Sequence, residues 1–364
     1  MEWDHVLPLG YRLNILFNLG LVYYYCLISI CHHRYGMNII KILHLQHEYG
    51  NINTLLGSTR KFTKSVTVIN LASLIVYNLL GKLMGEYLFI LQVLPVITLI
   101  FNFYIILVSG EGRLMSIFQR VLLGRIDTKS LRINDLLMSD SITSYSKIIL
   151  DLANYLNYII YYGSRDDDDD WKKLDQNRFG VDLIILGLPQ LIRLSQCWFE
   201  WNHSNRRNRQ PFLNFIKYST NVAPLVMIFI TRSYTARESS APGGGGGGDP
   251  ILMLEKLLIL VNSMYTFFWD VMIDWNFTSV KQAKRNDWVF DASIVFDCSL
   301  RFLWLWKFIF TSAGFFYYFH DSDPGMTLFV MQFLEVTRRF VWCIHRLNTE
   351  AMRDSITSIE MTKV

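Results

Sequence analysis

Apolar and polar positions alternate along this chain in long blocks. A helix crosses a bilayer with about 20 mostly apolar residues. Residues 11–31, 64–83 and 86–108 have that length and character. So do 140–162, the weaker 181–201, then 212–231, 251–272, 288–313 and 326–347. The pattern predicts an all-α polytopic membrane protein with about nine transmembrane helices. Nine such spans take up about 180 residues, which leaves no room for a large soluble domain.

The connections alternate too. Residues 32–63 carry Arg34, Lys41, Arg60 and Lys61, and 109–139 carry Arg113, Arg120, Arg125, Lys129 and Arg132. Arg206, Arg207 and Arg209 lie in 202–211, and Lys281, Lys284 and Arg285 follow span seven. Between these lie 163–180 with an acidic run at 166–170, 232–250 with a glycine run at 243–248, and 314–325 with Asp321 and Asp323. Basic connections stay cytoplasmic. The alternation therefore predicts a lumenal amino terminus and a cytoplasmic carboxyl terminus. The acidic run reads as a solvated loop and the glycine run as a flexible linker. Span one has no basic leader or small-residue cleavage site, so it is expected to be retained in the membrane. The sequons at Asn202 and Asn276 fall on the expected cytoplasmic side and should stay unmodified.

Composition sharpens this picture. Charged residues make up 18% of the chain, against about 25% in soluble domains. A net charge of +4 is too small to argue for nucleic acid as a partner. Five cysteines, an odd number in so long a chain, exclude a disulfide-stapled secreted fold. No nucleophile elbow, phosphate-cradling glycine loop or zinc motif is present, so neither an enzyme nor a cofactor is expected. His44 and His47 have no further ligands at metal spacing, so no metal site is expected either.

Several spans carry ionisable groups. Each costs about 2.5–3.5 kcal/mol on insertion scales and is a functional candidate by default. Span four opens with Asp140, followed by Thr143, and span six carries Lys217 and Tyr218. Span seven ends with Asp270 and Asp274, whose i,i+4 spacing puts both carboxylates on one side of a helix. Span eight carries Asp297, Arg301 and Trp304, and span nine Glu335, Arg338 and Arg339. A mixed-sign interior suits a partly protonated oxyanion. Arg forks and Lys bind its oxygens, and carboxylates hold the Arg side chains and accept a hydrogen bond from its hydroxyl. Trp304 and Tyr218 can wall the path. The plainer reading makes Asp297–Arg301 and Glu335–Arg339 structural ion pairs within their helices.

The same charges sit inside motifs. Asp140-Ser141-Ile142-Thr143-Ser144 looks like Asp-Gln-Leu-x-Ser, and Pro189 to Cys197 reads as Pro-x-x-x-Arg-x-x-Gln-Cys. Asn214 to Thr220 resembles Asn-Ala-x-Lys-Tyr-Ser-Thr, and Tyr265 to Trp275 matches Tyr-x-x-x-Trp-Asp-x-x-x-Asp-Trp. Asp297 to Trp304 matches Asp-x-x-Leu-Arg-x-x-Trp, and Leu334 to Trp342 matches Leu-Glu-x-x-Arg-Arg-Phe-x-Trp. Together these segments resemble the EXS family of eukaryotic phosphate exporters, from about residue 140 to 350. Ser141 replaces a usual Gln, Thr143 stands where Asn can occur, and 346–350 departs from Arg-x-Glu-Asn-Glu.

The resemblance implies an organisation and a function. Residues 1–139 are expected to form a membrane scaffold of three spans, 140–350 a six-helix EXS transport bundle, and 351–364 a cytoplasmic tail. It implies a phosphate path lined by Asp140, Thr143, Lys217, Tyr218, Asp270, Asp274, Arg301, Trp304, Arg338 and Arg339; the reading of the residues makes Trp304 its gate. Larger members carry an amino-terminal SPX domain that senses inositol pyrophosphates. About ten residues precede span one here, so that regulation is expected to be missing. The short form is similar to the Golgi branch of the family. That implies a Golgi membrane protein returning inorganic phosphate, the by-product of lumenal glycosylation, to the cytosol. It also implies an effect on retention of ER-lumenal proteins and Golgi glycosyltransferases. Expected partners are phosphate and membrane lipid. Golgi glycosyltransferases, a coat adaptor and a second copy in a homodimer stand as further candidates. The alternative is a trafficking module that recruits such proteins through Arg206-Arg207-Asn208-Arg209 or 113–132, without intrinsic transport. A chemoreceptor-like channel has the span count but none of the motifs.

Overall fold

A computed structural model describes residues 7–84, 89–109, 113–127, 131–162, 180–204, 206–207, 209–238, 250–283, 287–305 and 324–361. The acidic run 166–170, the glycine run 243–248, Lys129, Lys284, Arg285, Asp321, Asp323 and the end of span eight lie outside these residues. Every regular element among the described residues is a helix. In chain order they are α1 (Leu9–His33), α2 (Ile39–Ile42), α3 (Ile52–Met84), α4 (Phe89–Ser109), α5 (Arg113–Leu122), α6 (Arg132–Ser144) and α7 (Ser146–Tyr162). Then come α8 (Val181–His203), α9 (Arg209–Glu238), α10 (Pro250–Trp269), a π turn (Asp270–Asp274), α11 (Phe277–Ala283), α12 (Trp288–Arg301) and α13 (Pro324–Met361). Among the described residues, four segments are both long and apolar enough to cross a membrane: Leu9–His33, Ile52–Leu83, Arg209–Tyr234 and Pro250–Asp274. With the shorter apolar helix Leu91–Ile106, they make this an all-α polytopic membrane protein. The count of nine and the orientation remain expectations of the sequence.

The chain divides into two compact units. The first comprises Met1–Ile117, Lys147–Asn177 and Leu303–Val364. Its α1 starts directly after Pro8, whose fixed φ suits a helix start. Helix α1 packs against α3, α4 and α13. Gly10 makes one approach possible: a Cβ there would meet Pro95 Cβ and Tyr155 Oη, each at 2.7 Å. Polar groups hold the helices together where no water competes. Tyr11 Oη donates to the Ser73 carbonyl (2.9 Å), Asn14 Nδ2 to the Pro95 carbonyl (3.0 Å) and Asn102 Nδ2 to Asn70 Oδ1 (2.9 Å). Tyr23 stacks on Phe340 of α13 at 4.4 Å. Helices α3 and α4 also expose Leu79, Leu83, Ile100 and Tyr104, side chains suited to lipid.

The second unit comprises Phe118–Ser146 and Arg178–Phe302. Helices α8, α9 and α10 pack in sequence. The contacts run antiparallel: Asp182 pairs with Arg232 while Trp198 meets Phe215, and Thr220 bonds Asn262 while Tyr265 bonds the Leu213 carbonyl. Helix α6 packs on α8.

One expected span is not continuous. Residues 140–162 were expected as a single helix from Asp140, but α6 stops at Ser144 and α7 starts at Ser146. The amide of Tyr145 turns back to the Ile142 carbonyl at 3.0 Å. Thr143 Oγ1 donates to the Asp140 carbonyl (2.7 Å) and Ser146 Oγ to the Thr143 carbonyl (2.6 Å). Hydroxyls bonded to carbonyls three residues back compete with the α-helical ladder. Asp140 thus sits near the end of α6, not at the head of a spanning helix.

Candidate functional site

The α9–α10 hairpin brings Lys217 to the end of α10. There the backbone widens into the π turn, and the Trp275 amide donates to the Asp270 carbonyl (2.8 Å). Such turns interrupt α-helices frequently at functional sites. Lys217 Nζ donates to Asp270 Oδ1 at 2.6 Å and reaches Asp274 Oδ2 at 3.4 Å. Both carboxylates therefore face one side, as their spacing predicts. Arg301, at the end of α12, pairs with Asp270 and, through Nε, with Asp297 Oδ2 at 2.8 Å. Asp270 is 1% exposed and bridges the two cations. Buried charges demand such pairing, since an unpaired one is strongly destabilising.

A second group lies beside the first, because Tyr218 follows Lys217 on α9. Tyr218 Oη donates to Asp140 Oδ1 at 2.6 Å. The same oxygen pairs with Arg193 Nε at 2.6 Å. The Arg193 guanidinium covers the Tyr218 ring at 4.8 Å, and Lys217 Nζ lies 5.6 Å from that ring's centre. Thr143, one turn from Asp140, spends its hydroxyl proton on the Asp140 carbonyl.

The second unit thus gathers Asp140, Thr143, Lys217, Tyr218, Asp270, Asp274, Asp297 and Arg301. The remaining candidates belong to the first unit. Arg338 is buried and chelates Glu335 through Nε (2.9 Å) and Nη2 (2.6 Å). Glu335, which the plainer reading paired with Arg339, holds the neighbouring Arg338. Arg339 stacks over the Trp342 ring at 4.8 Å. Trp304 is half-buried.

Arg193 is the residue that sequence reasoning missed. It lies in the middle of span five, is 1% exposed and sits in a quoted motif. The insertion cost that singled out Lys217 applies to it equally.

A family model described as the EXS family matches residues 7–352. The chain belongs to the EXS family. The match also takes in the first three spans, which carry none of the six motifs. Among relatives, Protein ERD1 of Kluyveromyces lactis is 27% identical over 297 residues, covering 72% of this chain and 70% of that protein. Protein ERD1 of Saccharomyces cerevisiae is 26% identical over 301 residues, covering 80% and 76%. Solute carrier family 53 member 1 of Homo sapiens is 26% identical over 242 residues, covering 60% of this chain and 33% of that longer protein.

Proposed function

We propose that this EXS protein moves inorganic phosphate across the Golgi membrane from lumen to cytosol. The single observation that carries the reading is Asp270 bridging Lys217 and Arg301 in a buried cluster with Asp274 and Asp297. Two cations with different donor shapes stand side by side. A phosphate displacing the carboxylates meets a point charge from Lys217 and a fork from Arg301. Asp270 and Asp274 remain beside it to accept a phosphate hydroxyl. Asp140 and Tyr218 line the path next to Lys217. Arg338 and Arg339 are further cationic stations, and Trp304 is the gate. A relative named as a solute carrier supports transport over catalysis. The short Golgi branch that the motifs resemble supports the lumen-to-cytosol direction. It also supports a role in retaining ER-lumenal proteins and Golgi glycosyltransferases.

The test is labelled phosphate flux in proteoliposomes. Saturable flux is expected in the wild type, falling at least about tenfold in Arg301→Ala and Lys217→Ala, the loss of one charged hydrogen bond each. Wild-type rates in Arg301→Ala and Lys217→Ala would remove the path assignment.

One observation favours the recruitment alternative: Lys217 and Arg301 already hold carboxylates, as structural charges do. On that view Arg206 and Arg207, both exposed, are the contact surface. Charge reversal there, abolishing retention with flux intact, would select it.

A further inference from the structure

A line of buried polar contacts leads away from Asp140 and ends at a surface turn. Arg193 Nη1 donates to Gln196 Oε1 at 2.7 Å. Gln196 Nε2 donates to the Arg125 carbonyl at 3.0 Å. Arg125 belongs to the turn at 123–127, between α5 and α6. The orientation of this amide is forced, because a guanidinium only donates and a carbonyl only accepts. Gln196 is 0% exposed, so neither end of its amide has water as a substitute.

The turn is built to lie on α8. Gly124 has φ +64°, and a Cβ there would fall 2.5 Å from Ser195 Oγ. Asp135 ties the turn down from its other side. Its carboxylate accepts from Arg120 Nη2 (2.9 Å), Arg120 Nε (3.1 Å) and the Asp127 amide (2.7 Å). Asp135 and Asp140 share α6, so the turn and the Asp140 carboxylate are fixed to one rigid element. Arg132 to Glu200 (2.5 Å) fastens the start of α6 to α8. The ion pair between Arg193 and Asp140 fastens it again two turns on.

We infer that Gln196 is a positioning residue that couples the 123–127 turn to the Arg193–Asp140–Tyr218 group. Its two amide ends hold the guanidinium and the turn at once, so displacement of either is felt by the other. Leu at this position makes neither contact. Glu keeps an acceptor for Arg193 but has no N–H for the Arg125 carbonyl. The turn lies in a connection expected on the cytoplasmic side, so whatever orders it there acts on Tyr218 beside Lys217. The consequence for phosphate rests on the function proposed above; the coupling itself does not.

Coupling free energy is reciprocal, so the turn must sense changes at the far end. Hydrogen exchange of the turn is the readout, since the amides of Gly124 (2.9 Å), Arg125 (2.9 Å) and Asp127 (2.7 Å) are all hydrogen-bonded. Tyr218→Phe removes the hydroxyl that Asp140 holds. It is expected to speed exchange at 123–127 by at least about threefold with Gln196 present, and clearly less in Gln196→Glu, where only the route through Asp135 and α6 remains, as in a double-mutant cycle. Unchanged exchange in Tyr218→Phe, or equal acceleration in both backgrounds, overturns the coupling. Gln196→Leu gives the same comparison where it folds. In proteoliposomes, Gln196→Glu is expected to raise the half-saturation for phosphate by at least about threefold per folded protein. A wild-type half-saturation shows Gln196 to be merely structural. Absent flux in folded wild-type protein defeats the proposed function and leaves the exchange result standing.

Discussion

Asp270 and Asp140 each serve two partners. Asp270 holds Lys217 and Arg301, while Asp140 holds Arg193 and the Tyr218 hydroxyl. A buried carboxylate has lone pairs for both, and leaving either cation behind alone is expensive. Arg193→Leu should therefore destabilise the protein by about 3–5 kcal/mol, because it strands the Asp140 charge. Denaturant unfolding in detergent measures this. Arg193→Met with Asp140→Leu should recover most of the loss; additive losses in the double variant would mean the two side chains do not act as a pair. The Asp270–Asp274 spacing was legible in the sequence because it lies within one helical turn. Arg193 was equally visible as a mid-span charge. Its partner was not, since nothing local links span five to Asp140.

At the scale of elements, hydrophobic blocks located the helices and misjudged one of them. The block 140–162 has the length of one span, yet it divides at Tyr145, where hydroxyls of Thr143 and Ser146 take backbone carbonyls. Hydropathy does not register that competition. Two glycines mark places where helices or turns touch. Gly124→Ala should destabilise by about 1–3 kcal/mol through its positive φ alone. Adding Ser195→Gly relieves the contact but not the backbone strain, so a thermal melt should recover only in part. Gly10→Val should disturb the approach of α1 to Pro95 and Tyr155, lowering the melting temperature without touching Lys217 or Arg301.

For the molecule as a whole, the charge alternation makes an orientation testable. A tag at the carboxyl terminus should be digested by protease added to sealed Golgi vesicles, and one at the amino terminus should be protected. Glycosidase treatment should leave mobility unchanged, since the sequons at Asn202 and Asn276 lie on the expected cytoplasmic side. Protection of the carboxyl tag would invert the orientation scheme.

The sequence alone determined the helical membrane class, the positions of the apolar blocks, the charged residues within them and, through its motifs, the resemblance to the EXS family. Those properties are local: they follow from hydropathy over about 20 residues and from short spacings on one helix. The tertiary structure decided which carboxylate takes which cation, where the π turn falls, that α6 ends before α7, and that Gln196 reaches the Arg125 carbonyl. These depend on distances between helices far apart in the chain. Side-chain packing sets such distances, and a linear pattern does not contain them.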